Sequence, residues 1–126
     1  LGNKNSKINV VGDQFGCPTY AQDIAKALIC ITKQINMNDI ESAIYHYAGS
    51  SVCSWHEFCL FIFSEYKKIG YATPYDIISI TTDEYPTAAL RPKYSVLNSE
   101  KLQNMFSIKP SNWQQAVKDV LKALDY

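Results

Sequence analysis

The stretch Ile8–Lys33, "INVVGDQFGCPTYAQDIAKALICITK", decides the fold class. Its first five residues are short, β-branched and closed by Gly12, the composition of a strand. "DQFGCPT" then carries Gly16 and Pro18 through a turn. Thr19 and Gln22 have capping-box spacing, and Ile24, Ala25, Leu28 and Ile31 recur at helical period, which predicts a helix from about Tyr20 to Lys33. A strand feeding through a tight turn into a capped helix is one unit of an α/β protein.

The rest of the chain repeats that alternation. "KQINMNDIES" reads as a loop and "AIYHYAG" as a strand ending at Gly49. Ser54 and Glu57 form a second capping box, opening a helix that Gly70 stops. Within it "FCLFIF", Phe58 to Phe63, is apolar almost all round, so this helix needs cover on more than one side. "YDIISITT" and the short "YSVLN" are further strand candidates, the latter leading to a helix at about Ser99–Phe106. Ser111 and Gln114 are spaced as a third capping box, before a helix with the apolar stripe Trp113, Ala116, Val117, Val120, Leu121 and Leu124.

At 126 residues the chain is one domain's worth. Twelve basic and twelve acidic residues cancel, which argues against nucleic acid or an anionic membrane as partner. The absence of a long apolar run and of a signal-peptide pattern at "LGNKNSKINVV" reads as cytoplasmic. The four cysteines, Cys17, Cys30, Cys53 and Cys59, lack metal-ligand spacing and read as free thiols in apolar roles. An opening Leu1, running straight into a strand, suggests a piece of a longer protein.

Catalytic patterns are almost absent. The sequence has no glycine-rich phosphate loop after a strand, no nucleophile elbow, and no tyrosine followed four residues later by lysine. His46, within a strand candidate, and His56, in the first turn of a helix, read as structural or surface residues. Two stretches remain. The turn "DQFGCPTYAQD" leads into a helix whose free N–H groups can meet an anion or an ordinary loop contact. In "EYPTAALRPKYSVLN", Arg91 is the only arginine of the chain and lies between Pro86 and Pro92. A guanidinium grips two oxygens of a phosphate or carboxylate at once, and a proline-stiffened loop loses less entropy on binding. A surface ion pair with Glu84 or Asp83 is the plain alternative.

Taken in order, "VVGDQFGCPTYAQDIAKAL", "IYHYAGSSVCSWHEFCLFIF", "EYPTAALRPKYSVLNSEKLQNMF" and "NWQQAVKDVL" resemble the carboxy-terminal half of the dTDP-4-dehydrorhamnose reductase family. That family belongs to the extended short-chain dehydrogenase/reductases, with an NAD(P)-binding Rossmann-like fold. The resemblance implies that residues 1–126 form the substrate-binding region and that the amino-terminal Rossmann domain, with its glycine loop and Tyr-x-x-x-Lys pair, lies outside this chain. For the whole enzyme it implies reduction of dTDP-4-dehydro-L-rhamnose to dTDP-L-rhamnose with NADPH or NADH, for bacterial surface polysaccharides, with Mg²⁺ as an open further requirement. This region alone is expected to be inactive.

The resemblance places Arg91 on the substrate diphosphate, although many members carry Arg-Arg-Pro where this chain has Leu90, Arg91 and Pro92. It places Gln14, Phe15 and Thr19 against the substrate, with Gly16 and Pro18 shaping the turn and Asp23 bracing the loop. Asn98, where members often have Asp, is expected to cap the short helix that follows. The expected partners are the dTDP-sugar, the missing Rossmann half, and a second copy in a homodimer drawn together by exposed apolar surface. Two other readings stay open: another sugar-nucleotide epimerase or reductase of the superfamily, and a non-catalytic regulatory binding protein. The upstream catalytic motifs separate all three.

Overall fold

The computed structural model describes residues 7–35 and 42–124. Strand β1 (Lys7–Val11) pairs in parallel with β4 (Asp76–Ile80), in a register running from Lys7 opposite Asp76 to Val11 opposite Ile80. The two-residue strands β2 (Phe15–Gly16) and β3 (Cys53–Ser54) pair antiparallel. Around them lie helices α1 (Ala21–Ile35), α2 (Trp55–Lys68), α3 (Glu100–Phe106) and α4 (Trp113–Leu124), with a 3₁₀ turn at Thr82–Glu84. The α/β class and the first strand–turn–helix unit are as read from the sequence. Helix α1 runs on to Ile35, past the start of the expected loop, and 36–41 lie outside the described residues.

Helix α2 is covered on two sides only in part, and none of its residues is fully buried. It packs on β1 and β4 along one side and on α4 along another. There the rings of Phe58 and Phe61 meet the Trp113 indole edge to face, with centroids 5.4 and 5.1 Å apart. Its amino end is closed by the Ser54/Glu57 capping box: Glu57 N–H donates to Ser54 Oγ at 3.1 Å and Ser54 N–H to Glu57 Oε2 at 2.7 Å. Trp55 and Leu60 stay exposed, and so do Leu28 and Ile29 of α1, which carry apolar surface that the sequence reading assigned chiefly to α2.

The second core sits where α1 meets α3. Phe106, at 2% exposure the deepest large side chain, takes the Tyr45 ring edge-on at 5.1 Å, and its carbonyl accepts from Gln34 of α1 at 3.0 Å. Leu102 lies beside it in α3, equally buried.

Several local expectations fail for identifiable reasons. "AIYHYAG" forms no strand, and His46 therefore sits exposed in irregular chain. Its backbone donors go instead to side chains and a distant carbonyl: Ala48 N–H to Ser99 Oγ, Gly49 N–H to Thr19 Oγ1, and Ser50 N–H to the Ser111 carbonyl. "YSVLN" contributes only one bridge, Tyr94 to Phe15. Thr19 does not cap α1, because its hydroxyl is committed to Gly49 N–H and the Cys17 carbonyl. The cap of α4 is Asn112, whose Oδ1 accepts from Gln115 N–H at 3.0 Å, one residue after the expected Ser111. Asn98 does serve α3, accepting from Glu100 N–H at 2.7 Å.

Gly49 is required by close approach. A Cβ there would stand 2.2 Å from the Pro18 carbonyl oxygen, a backbone atom that cannot swing aside. Gly49→Ala is expected to cost about 1–3 kcal/mol by overpacking. Urea denaturation, with a lowered midpoint at unchanged slope, is the measurement.

Candidate functional site

The ends of β1 and β4 point at one place, and the residues just beyond them build the site. In open parallel sheets the crevice beyond the carboxyl ends of the strands is where ligands lodge. After β1 come Gly12, Asp13 and Gln14, and after β4 comes Thr82. Asp13 Oδ1 accepts from both the Thr82 amide at 2.8 Å and the Thr82 hydroxyl at 2.7 Å. Its other oxygen, Oδ2, lies 3.4 Å from Lys93 Nζ. Gln14 Nε2 donates to Thr82 Oγ1 at 3.2 Å.

Phe15 then ties down the segment that follows Arg91. Its N–H donates to the Lys93 carbonyl at 2.8 Å, and its carbonyl accepts from Ser95 N–H at 2.9 Å and Ser95 Oγ at 3.1 Å. Two stretches some eighty residues apart in sequence are thereby locked edge to edge.

Two clefts meet at this junction. One, of about 290 Å³, is lined by the turn Gln14–Pro18, by β3, and by Trp55, Arg91, Pro92 and Ser95. The other, of about 400 Å³, lies over β1 and is lined by Tyr85 and Thr87 as well. Gln14, Trp55 and Arg91 belong to both. Among the described residues Arg91 pairs with no carboxylate. Glu84, the partner offered by the plain reading, turns back to accept from the amide and hydroxyl of Thr81 at 2.7 and 2.9 Å.

Of the residues singled out in the sequence, Arg91, Gln14, Phe15, Gly16 and Pro18 line one cleft together. Thr19 does not join them. It faces a separate apolar groove of about 440 Å³ between α2 and α4, and its hydroxyl braces the turn. Asp23 braces no loop either, pairing with Lys26 of its own helix at 3.1 Å. At the start of α1 the N–H groups of Asp23 and Ile24 are taken by the Tyr20 carbonyl.

Sequence reasoning missed Trp55 and the Asp13–Thr82 pair. An indole directly after the Ser54 cap, 55% exposed, was a signal that could have been used. The Asp13–Thr82 pair, whose members are 69 positions apart, left none.

The electrostatics are simple. The Thr82 hydroxyl, with help from the Thr82 amide and Lys93, holds the Asp13 carboxyl below its usual range against a smaller opposing effect of burial. Glu84 is lowered likewise by the amide and hydroxyl of Thr81. Both carboxylates have folded values below their unfolded ones, so their contribution is complete above the ordinary carboxylate range of about 4. It is lost as pH falls through the lowered folded values. Thermal melts from about pH 6 to about pH 3 should show stability dropping at the acid end, by less in Asp13→Asn.

Burial pushes the Cys53 thiol up to about 11, with Glu57 and Cys17 adding to it, and raises Cys17 as well. The thiols lining the cleft are therefore protonated near neutrality and poor nucleophiles. All four cysteines are free.

The dinucleotide implied by the resemblance does not fit these residues. The β1–α1 connection lacks the repeated glycines of a pyrophosphate loop. The space beside Gly12 is filled, since a Cβ there would lie 2.1 Å from Ser79 Oγ. Among the described residues no three His, Cys, Asp or Glu side chains group to hold a metal ion, and Mg²⁺ finds no support. No helix among them is long and apolar enough to cross a membrane.

A short parallel sheet flanked by helices, with a two-part cleft beyond its strand ends, defines the substrate-binding region of an extended short-chain dehydrogenase/reductase fold. The family model described as "RmlD substrate binding domain" matches residues 1–126, and the chain belongs to that family.

Among curated relatives, the dTDP-4-dehydrorhamnose reductase of Aggregatibacter actinomycetemcomitans is 40% identical over 123 residues, covering 95% of this chain and 42% of the relative. The spore coat polysaccharide biosynthesis protein SpsK of Bacillus subtilis is 35% identical over 122 residues, covering 97% of this chain and 39% of its own length. In structure, the dTDP-4-dehydrorhamnose reductase of Clostridium acetobutylicum superposes with a TM-score of 0.85 at 28% identity, over all of this chain and 41% of the other. The enzyme of Bacillus anthracis, solved in complex with NADP, gives 0.75 at 32% identity, over 94% of this chain and 39% of the other. The chain spans about two fifths of the length of these relatives.

Proposed function

We propose that this chain binds the sugar-nucleotide substrate of a dTDP-4-dehydrorhamnose reductase, holding the diphosphate on Arg91. The observation that carries the reading is the position of that arginine. Among the described residues it stands without a carboxylate partner where two clefts join, and a nucleoside diphosphate sugar has two bulky ends with its negative charge between them. The nucleoside and the sugar would occupy one cleft each, with the exposed Trp55 indole offering an apolar face to either ring.

Binding and orientation are what these residues supply. Asp13, Thr82 and Phe15 fix the segment that carries Arg91, so little ordering is left to be done when the ligand arrives. The hydride, and the proton that accompanies it, would come from a Rossmann half contributed by the remaining length of the protein, with NADPH or NADH bound there. Such an enzyme would work in the cytoplasm, where nucleotide sugars are made.

Titration calorimetry of the chain with dTDP-rhamnose tests the reading, with UDP-glucose as the comparison. Preference for the dTDP-sugar is the expected result; equal binding would favour another sugar-nucleotide enzyme of the superfamily. The chain should also oxidise no NADPH in the presence of a 4-keto sugar nucleotide, and ketone-dependent oxidation would overturn the division of labour.

A further inference from the structure

We infer that Gln14 is a specificity-determining acceptor, its amide oxygen receiving a hydrogen bond from a hydroxyl or N–H group of the bound nucleotide sugar. This rests on the proposed function and says which chemical group of the ligand the site reads.

The inference follows from counting protons along three side chains. An ionised Asp13 carboxylate can only accept. It takes the single hydroxyl proton of Thr82, with Oγ1 and Oδ1 2.7 Å apart. The Thr82 oxygen therefore has only lone pairs left to offer its other neighbour, Gln14. That neighbour must present its nitrogen, and Nε2 does stand 3.2 Å from Thr82 Oγ1. The reversed amide would set two acceptors against each other. Asp13 thus fixes, through Thr82, which end of the Gln14 amide faces away, and the end facing away is the oxygen.

That oxygen has no donor among the described residues. Gln14 as a whole is 8% exposed, so bulk water does little to satisfy it. Yet Gln14 lines both clefts, and its oxygen is not one of the polar atoms sealed from solvent without a partner, Trp113 Nε1 and Gln114 Oε1. A nearly buried acceptor, oriented by a relay and open to the ligand space, is satisfied by a ligand donor. It penalises a ligand that brings an apolar group or another acceptor to the same point. The shared chemistry is a donor, and it can come from a hydroxyl of the sugar or from the thymidine part.

Calorimetry with dTDP and with dTDP-rhamnose separates these sources. The variants are Gln14→Met, which keeps length without an acceptor, Thr82→Val, which keeps shape without the relay, and Thr82→Ser, which restores it. Gln14→Met and Thr82→Val should each weaken dTDP-rhamnose roughly three- to tenfold, with Thr82→Ser close to the parent. Loss confined to dTDP-rhamnose assigns the donor to the sugar, and equal loss with dTDP assigns it to the thymidine part. Undiminished affinity of Gln14→Met for both ligands, with Arg91→Ala still impaired, overturns the acceptor and leaves the proposed function standing. A parent chain that binds neither ligand overturns both. The relay is also tested without ligand: the Gln14 side-chain amide resonances should move in Thr82→Val and not in Thr82→Ser, and unmoved resonances in Thr82→Val would sink it.

Discussion

Replacing Arg91 by alanine should weaken binding of dTDP-rhamnose by one to two orders of magnitude, about 1.5–3 kcal/mol, the worth of hydrogen bonds to a charged group. Arg91 has no carboxylate partner among the described residues, so its removal leaves no opposite charge stranded and should leave the melting temperature nearly unchanged. Arg91→Lys should recover part of the loss, since a point charge remains while the two-pronged grip is gone. The affinity of the parent should fall as salt rises, and that dependence should be shallower in Arg91→Ala. An unchanged affinity in the alanine variant, from a folded chain, would remove the arginine from the diphosphate.

The largest effect on stability is expected at Phe106→Ala. Few large apolar side chains are fully buried among the described residues, and Phe106 is the largest of them, joining α3, α1 and Tyr45. Its truncation should cost about 3–5 kcal/mol, a large part of the ~5–15 kcal/mol by which a domain is stable. The melting temperature should drop by on the order of 10 °C. Phe106→Leu, closer in volume, should cost about 1.5 kcal/mol or less. Calorimetric melts decide this, and a near-native melt for Phe106→Ala would show that the α1–α3 core carries little of the stability.

What could be read from the sequence follows the range of the interactions. The Ser54/Glu57 box is a contact across three residues, and both of its hydrogen bonds form as the spacing implies. The strand before Gly12 and the helix after Pro18 are legible because periodicity is local. Thr19 has the same spacing to Gln22, but its hydroxyl is drawn off by Gly49, 30 residues away. "AIYHYAG" has strand composition without a strand, because strand identity depends on a neighbouring ladder and its donors find side chains instead.

The candidate site divides in the same way. Gln14 to Pro18 are contiguous, so a turn with Gly16 and Pro18 announces them, and the lone arginine announces Arg91. Their meeting, and the Asp13–Thr82 pair that holds it, depend on contacts across some seventy to eighty residues, and no local pattern encodes those.

The central claim is that Arg91 grips the ligand, and a chain with a single arginine permits a direct test. Nitrogen–proton NMR should show one arginine Nε–H resonance. On titration with dTDP-rhamnose it should shift with the ligand-bound fraction and exchange its proton more slowly with water. A resonance that stays in place and keeps its exchange rate at saturating ligand would contradict the account.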